Sequence, residues 1–320
     1  MPLNASSPLP SMRGSSGPSG AILGIDFGGT KVALRVDAEG TALASDRLLI
    51  ETGESALEVV GRTVSAACRL LDNCEVPAVA VGIATPGIVH DDRIELAPNV
   101  VGWSDISLRE RMVDGLGIPL VFVGNDVKAA VLAEMTTGAL VGMNPGLYLN
   151  LGTGIAAAMV VNGVVVEGAH NASGEIGYAV VGATSVIDWI GKGAPLEELM
   201  GGRGLGERGS NRFGTDGSAR AILDLARHDD EAAGFVRAAV DELARHILTC
   251  VLLLDPQRVV IGGGMSRASD LLLDPLRARL HAVLTFPPEI VHSSFGADAS
   301  LLGAIELARR GVAGAESSRP

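Results

Sequence analysis

Two stretches of this chain share an arrangement of residues suited to holding an anion. In "GIDFGGTKVALRV", Gly24 to Val36, an apolar strand carries Asp26, breaks on Gly28-Gly29-Thr30 and resumes as a second strand. In "LYLNLGTGIAAAMVV", Leu147 to Val161, Asn150 takes the polar position, Gly152-Thr153-Gly154 forms the break, and a second apolar run follows. Glycines permit positive φ and remove the Cβ, so successive backbone N–H groups can converge on an anion while the threonine hydroxyl adds a donor. Phosphate is the natural guest. Each turn by itself also fits an ordinary tight hairpin connection. Neither has the G-x-x-x-x-G-K-[ST] spacing of a Walker loop, and neither opens the helix that a dinucleotide fingerprint requires. The matched pair, each with a polar residue two positions ahead of its first glycine, points to a duplicated fold with a ligand between the halves.

A further carboxylate with chemical potential is Asp126 in "VGNDVKAA". It follows a buried-looking strand and stands at or near the start of a helix, where the local sequence alone assigns it an N-cap.

The elements that must position these residues alternate between short apolar runs and longer amphipathic ones. Strands are predicted at residues 21–25, 32–36, 78–83 and 120–123, and helices at residues 56–72 and 127–136. A second series opens with strands at residues 147–151 and 157–161. After an irregular glycine-rich middle it continues into a long apolar helix, residues 232–254, ended by Asp255-Pro256. "RVVIGGGMS" then gives a buried strand stopped by Gly262-Gly263-Gly264. This alternation predicts an α/β architecture. The first 20 residues are rich in Ser, Pro and Gly, contain no apolar core stretch, and read as a disordered tail without a secretory segment.

At 320 residues the chain has room for about two domains. Its 25 Lys and Arg against 37 Asp and Glu leave a net charge of −12, which argues against nucleic acid or an anionic membrane as partner. The longest apolar runs, such as residues 247–254, fall well short of the roughly 18 that span a bilayer. Cys68, Cys74 and Cys250 are odd in number and form no C-x-x-C pair, so neither a disulfide framework nor a cysteine metal cluster is encoded. A reducing, cytoplasmic location fits. The six histidines show no metal-ligand spacing, and scattered histidines are mostly surface or satisfied core residues.

"GIDFGGTK", "IATPGIV", "APNVVGW", "GNDVKAA", "LNLGTG", "GEIG", "DPQRVVIGGGMS" and "FGADASLLGA" occur in an order and approximate spacing that resembles the ROK family (repressors, open reading frames and kinases). The resemblance runs from Ala21 to about Leu307. It implies the two-lobed actin/hexokinase-like ATPase fold, with a ligand cleft between duplicated α/β lobes. The expected division is a small lobe of residues 21–124 plus about 300–315, and a large lobe of residues 125–299. The implied activity is ATP-dependent, glucokinase-like phosphorylation of a hexose or N-acetylhexosamine hydroxyl, with Mg²⁺ as the accompanying ion and a homodimer as the assembly. The family's repressors carry an additional N-terminal DNA-binding domain, whereas only a short tail precedes Ala21 here.

The resemblance also assigns roles. Asp26 would stand near the nucleotide's Mg²⁺, usually through water, and Gly28, Gly29, Thr30 and Lys31 would take the β and γ phosphates. Gly152, Thr153 and Gly154 would meet phosphate from the other lobe, and Gly262, Gly263 and Gly264 would lie against the adenosine. A sugar hydroxyl is a poor nucleophile and loses its proton as it attacks, so a positioned carboxylate is needed to take it. The resemblance makes Asp126 that base, and Asn99, Asn125, Glu175 and Glu197 the sugar ligands. For Glu197 the neighbouring Glu198 is a competitor one residue out of register. Among the histidines, only His170 falls near this set.

Two departures from the pattern stand out. Zinc-containing relatives carry a His at the end of the "GEIG" motif and a cysteine cluster after it; here Tyr178 and "VVGATSVIDWIGKGAPLEE" occupy those places, so zinc is not expected. Tyr178 would then line the sugar pocket. An apolar set, Val180, Val181, Val186, Ile187, Trp189 and Ile190, is expected to fasten the loop in place of the ion, with Trp189 at its centre. Ala156-Ala157-Ala158 stand where relatives tend to have glycines. These changes keep open a second reading, a sugar-sensing regulatory protein with little or no kinase activity.

Overall fold

The computed structural model describes residues 20–51, 53–97, 102–182 and 193–317. Of the sequence expectations, most of the N-terminal tail and the residues Asn99, Val186, Ile187, Trp189 and Ile190 lie outside this range.

The chain opens with β1 (Ala21–Phe27), β2 (Lys31–Ala38), β3 (Thr41–Leu49), α1 (Ala56–Asp72), β4 (Ala78–Thr85), and a small hairpin of β5 (Ile88–Val89) and β6 (Ile94–Glu95). There follow α2 (Leu108–Leu116), β7 (Val121–Asn125) and α3 (Asp126–Thr137). The second series is β8 (Gly146–Leu151), β9 (Ile155–Val161), β10 (Val164–Val165), α4 (Pro195–Met200), α5 (Gly202–Phe213), α6 (Ala219–Leu225) and α7 (Asp230–Leu254). It ends with β11 (Arg258–Gly262), α8 (Leu273–Val283), β12 (Glu289–His292) and α9 (Ala299–Ser317).

Two five-stranded sheets result, in the orders β3, β2, β1, β4, β7 and β10, β9, β8, β11, β12. The orders match element for element. β1 pairs antiparallel with β2 and parallel with β4, just as β8 pairs antiparallel with β9 and parallel with β11. The repeated turn motif therefore joins the first two strands of each copy. Strand burial explains the composition: β1 and β4 are covered on both faces and read as continuous apolar runs, while the outer strand β3 alternates with solvent.

Two helices lie where the sheets meet. α9 crosses the first sheet, with Ile305, Ala308 and Val312 packed against Ile22 and Ala80. Gly82 on β4 and Gly303 on α9 exist because a Cβ would strike the backbone of Ala304 and of Ala129, respectively. α3 packs one face, Val127, Ala130 and Val131, onto Tyr148, Ala158 and Val260 of the second sheet, and another, Ala129, onto Ala84 and Ala304. Buried Glu134 fixes its far end by accepting from Ser293 Oγ (2.6 Å) and the Ser294 N–H (2.9 Å). The helix that begins with Asp126 is thus held from both sides.

Boundaries differ from the expectations in a consistent way. β1 extends two residues past Ile25 to take in Asp26, and β7 continues through Asn125, because a pairing partner on the neighbouring strand keeps the backbone extended into the polar residues. The apolar pattern stops earlier than the ladder does. Ala156, Ala157 and Ala158 lie within β9, where Ala157 and Ala158 are buried, so their methyls belong to the core and not to the phosphate turn.

Candidate active site

The site forms where strand ends of both sheets and the start of α3 meet. Asp26 near the end of β1, Asp126 at the head of α3, Glu175 in the segment after β10, and Glu197 on α4 all stand in one electrostatic cluster. Burial raises the Asp126 carboxyl to about 7, with Asp26 and Glu175 adding to the rise. Burial likewise raises Asp26 to about 7, against the pull of Lys31 and with a push from Asp298. Burial pushes Glu175 upward too, opposed by Lys128 and reinforced by Glu197. The four are linked in turn, Asp26 to Asp126, Asp126 to Glu175 and Glu175 to Glu197.

The sequence reading of Asp126 as a cap is corrected by its neighbour. Asn125 is the N-cap: its Oδ1 accepts from the N–H groups of Val127 and Lys128, each at 3.0 Å, and its Nδ2 donates to Gly87 O at 2.9 Å. That leaves Asn125 one amide hydrogen for a ligand. Asp126 is the first helical residue, and its Oδ1 accepts from the Val127 N–H at 2.9 Å while Oδ2 has no hydrogen-bond partner among the described residues. The helix start lends a positive potential to this carboxylate.

At the first turn the Gly28 N–H is spent on Lys31 O at 2.9 Å, whereas the N–H groups of Gly29 and Thr30 find no partner among the described residues. Gly28 does not adopt a positive φ; a Cβ there would sit 3.1 Å from Lys31 O, so lack of a side chain and not handedness is what the turn needs. The second turn corrects the expectation in the same way. Gly152 and Gly154 have ordinary φ, and a Cβ on Gly154 would run into the Glu197 carboxylate. Gly152 O and Thr153 O accept from Gly202 and Arg203 at the start of α5, at 2.8 and 3.2 Å, which aims the turn. Gly263 alone among the proposed ligand glycines has a positive φ, 83°, and a Cβ on Gly262 would collide with the buried Tyr148 hydroxyl. Gly264, beside them, is exposed.

Glu197, not Glu198, belongs to the cluster. Its Oε2 accepts from the Ile155 N–H at 3.1 Å and its methylene abuts Gly177, while Glu198 is exposed. Tyr178 follows Glu175 in a short 3-10 turn, about two-fifths exposed (41%), with its hydroxyl proton held more tightly through burial and the adjacent charges of Glu175 and Glu197. His170 is exposed.

Three residues were missed by sequence reasoning. Trp103 of "VVGW" is 1% exposed, donates from Nε1 to Thr85 Oγ1 at 2.8 Å, and meets Phe27 edge to face at 5.0 Å, so it braces the strand ends beside the first turn. Its place in a quoted motif and the tendency of Trp to be largely buried were the available signals. Lys128 and Asn171 join α3 to the segment carrying Glu175, and no periodic pattern marks them. The loop after Tyr178 is tied at its described start by Gly182 N–H donating to Glu242 Oε1 at 3.0 Å and by Val181 against the core, while Val180 is half-buried.

Residues 22–311 match the profile of the ROK family. The chain belongs to the ROK family. It is 28% identical over 322 residues to a glucokinase of Thermotoga maritima, covering 92% of this chain and 98% of that one. Among solved structures, a ROK hexokinase from Thermus thermophilus superposes with a TM-score of 0.75 at 30% identity, covering 92% and 99% of the two chains. A ROK family glucokinase from Streptomyces griseus in complex with glucose and AMPPNP superposes at 0.76 with 28% identity, covering 91% of this chain and all (100%) of that one. The fold is accordingly the actin/hexokinase-like ATPase fold.

Proposed function

We propose that the cleft transfers the γ-phosphoryl group of ATP to a hydroxyl of a hexose or N-acetylhexosamine, with Asp126 as the general base. The chain is a sugar kinase. The observation that carries the reading is a carboxyl raised to about 7 at the head of α3 and coupled to Asp26, which precedes a glycine turn whose Gly29 and Thr30 N–H groups have no partner among the described residues. The solved relative that holds glucose and AMPPNP supports the same pairing of ligands.

The acceptor sugar would be held by Glu175, Glu197, Asn125 and Tyr178, together with Asn99, whose surroundings are outside the described residues. Carboxylates suit a polyhydroxyl ligand because each can accept from two hydroxyls. Asp126 Oδ2 takes the proton late, as the hydroxyl oxygen bonds to phosphorus and the bond to ADP breaks; a base with a pKa near the working pH is the most effective. The turns of residues 28–31 and 152–154 would hold the phosphates, and residues 262–264 the adenosine.

A magnesium ion fits this site. Burial raises both the Asp26 and the Asp126 carboxyl, and Asp26 adds to the rise at Asp126, so a cation near them is favoured, held by these carboxylates, water and the phosphates of the nucleotide. When bound, Mg²⁺ would neutralise charge developing on the transferred phosphoryl. Zinc is not part of the proposal, since the loop that would fasten it offers Tyr178 in the histidine place. We assign the protein to the cytoplasm as a homodimer; exposed Leu252, Leu253, Val283 and Phe286 near the ends of α7 and α8 support self-association, which sedimentation would test.

The sensor reading rests on Tyr178 alone, since the three alanines lie in β9. Incubating the protein with MgATP and a panel of hexoses and N-acetylhexosamines, with ADP release as the readout, decides between the two. The kinase reading expects ADP with at least one sugar; sugar binding without ADP would support the sensor.

A further inference from the structure

Residues 167–175 form a tightly wound loop that leads to Glu175. Gly168, Asn171 and Gly174 all have positive φ, the Ser173 N–H donates to Glu167 O at 3.1 Å, and the Ala157 N–H donates to Gly174 O at 2.8 Å. Lys128 fills the loop's centre. Its Nζ donates to Glu167 O at 3.2 Å and to Asn171 O at still closer range. From the same loop, Asn171 Nδ2 donates to Val89 O at 2.8 Å, reaching the β5–β6 hairpin of the other sheet's series. Lys128 lies two residues beyond Asp126 on α3, so one side chain connects the base's helix to the loop of the sugar carboxylate.

The chemistry of this contact is unusual for a lysine. Its partners are backbone carbonyls, and no carboxylate lies within ion-pair distance of it among the described residues. The ammonium therefore orients two carbonyl dipoles while its charge reaches Glu175 through space and opposes the effect of burial there. On its outer side Lys128 lines a cavity of about 640 Å³ with Ala129, Leu132, Val165 and Asn171. Removing the side chain would leave a polar void open to that cavity.

Resting on the assignment of Asp126 and Glu175 in the proposed function, we propose that Lys128 is a positioning residue for the phosphoryl acceptor. Its ammonium sets the loop of residues 167–175 against α3, so that Glu175 holds the sugar at a fixed distance from Asp126. The nucleotide turns are untouched by this contact.

The test uses Lys128→Met, Lys128→Arg and Lys128→Ala in the full chain. Lys128→Met is expected to raise the sugar KM and lower kcat/KM for sugar by about ten- to a hundredfold, the loss that follows removal of a charged hydrogen-bond donor, with the KM for ATP nearly unchanged. Lys128→Arg should recover part of the loss. Propylammonium, which replaces the atoms missing in Lys128→Ala, should enter through the cavity and restore part of kcat/KM, where propanol at equal concentration does not. Amide hydrogen exchange in residues 167–175 should quicken in Lys128→Met and return towards wild type in Lys128→Arg. Unchanged sugar KM and unchanged exchange in Lys128→Met would overturn the proposal, as would equal losses for sugar and ATP. Absence of ADP release from wild type with every sugar would sink the kinase assignment instead, and the exchange measurement would still decide the role of Lys128.

Discussion

At the residue scale, Asp126 and Asp26 determine the pH behaviour. Both carboxyls are raised from 3.8 to about 7, first by burial and then, for Asp126, by Asp26 itself. As the proposed base Asp126 would act only when ionised, so kcat/KM for sugar should climb as pH rises through about 7. Asp126→Asn keeps the size of the side chain and is expected to lower kcat by about 10²- to 10⁴-fold and to abolish that limb of the profile. An Asn variant with the wild-type limb would assign the titration to another group. Sequence alone could not distinguish Asn125 from Asp126, because both are good capping residues and only the geometry gives the cap to Asn125. The glycines were legible as a class, but the reason for each was not. Gly154 and Gly262 are required by Glu197 and Tyr148, which are remote in sequence.

At the element scale, the account depends on α3 staying fixed between α9 and the second sheet. Close backbone approach makes Gly82 the test, since any Cβ there meets the Ala304 carbonyl on α9. Gly82→Ala is expected to destabilise by about 1–3 kcal/mol, the usual cost of overpacking, seen as a lower denaturant midpoint. Trp103→Ala should cost about 3–5 kcal/mol, because it removes a buried aromatic and its hydrogen bond to Thr85. If either substitution left the midpoint unchanged, these contacts would not be holding the site together. Two long helices were legible: the one at Ala56–Asp72 has the predicted bounds, and α7 differs only by starting at Asp230, whereas the 19 residues of α9 were not read as a helix. Short α4 and the two-residue strands escaped notice, since one or two turns carry too few apolar positions to set a period, and twelve-residue α5 escaped because its glycines and charged residues leave few apolar positions. Trp189 drew attention in the sequence, whereas the tryptophan seen to brace the site is Trp103.

At the scale of the whole molecule, two copies of one sheet converge on a concentration of acid. Duplication was legible because both stretches follow one plan of apolar strand, polar residue, Gly/Thr turn and second strand, and the sheet orders bear it out. The cluster of four carboxylates was not, because its members are spread from Asp26 to Glu197 and meet only through the crossover connections. Holding Asp26 and Asp126 together has a price in stability. Between about pH 4 and pH 7 the native state keeps protons that the unfolded chain has released, so raising pH through this window lowers stability. Without nucleotide or divalent ions, wild type should therefore melt lower at pH 8 than at pH 5 by a larger margin than Asp126→Asn does. An identical pH dependence of Tm in both would show that the pair is not strained.

The most direct test of the central claim measures sugar binding and phosphoryl transfer on the same two proteins. Wild type and Asp126→Asn are each given MgATP and the sugar that releases ADP most rapidly, with sugar affinity measured separately by calorimetry. The account predicts sugar binding within a few-fold of wild type and turnover reduced by about 10²-fold or more in the variant. Turnover close to wild type with binding intact would contradict Asp126 as the base.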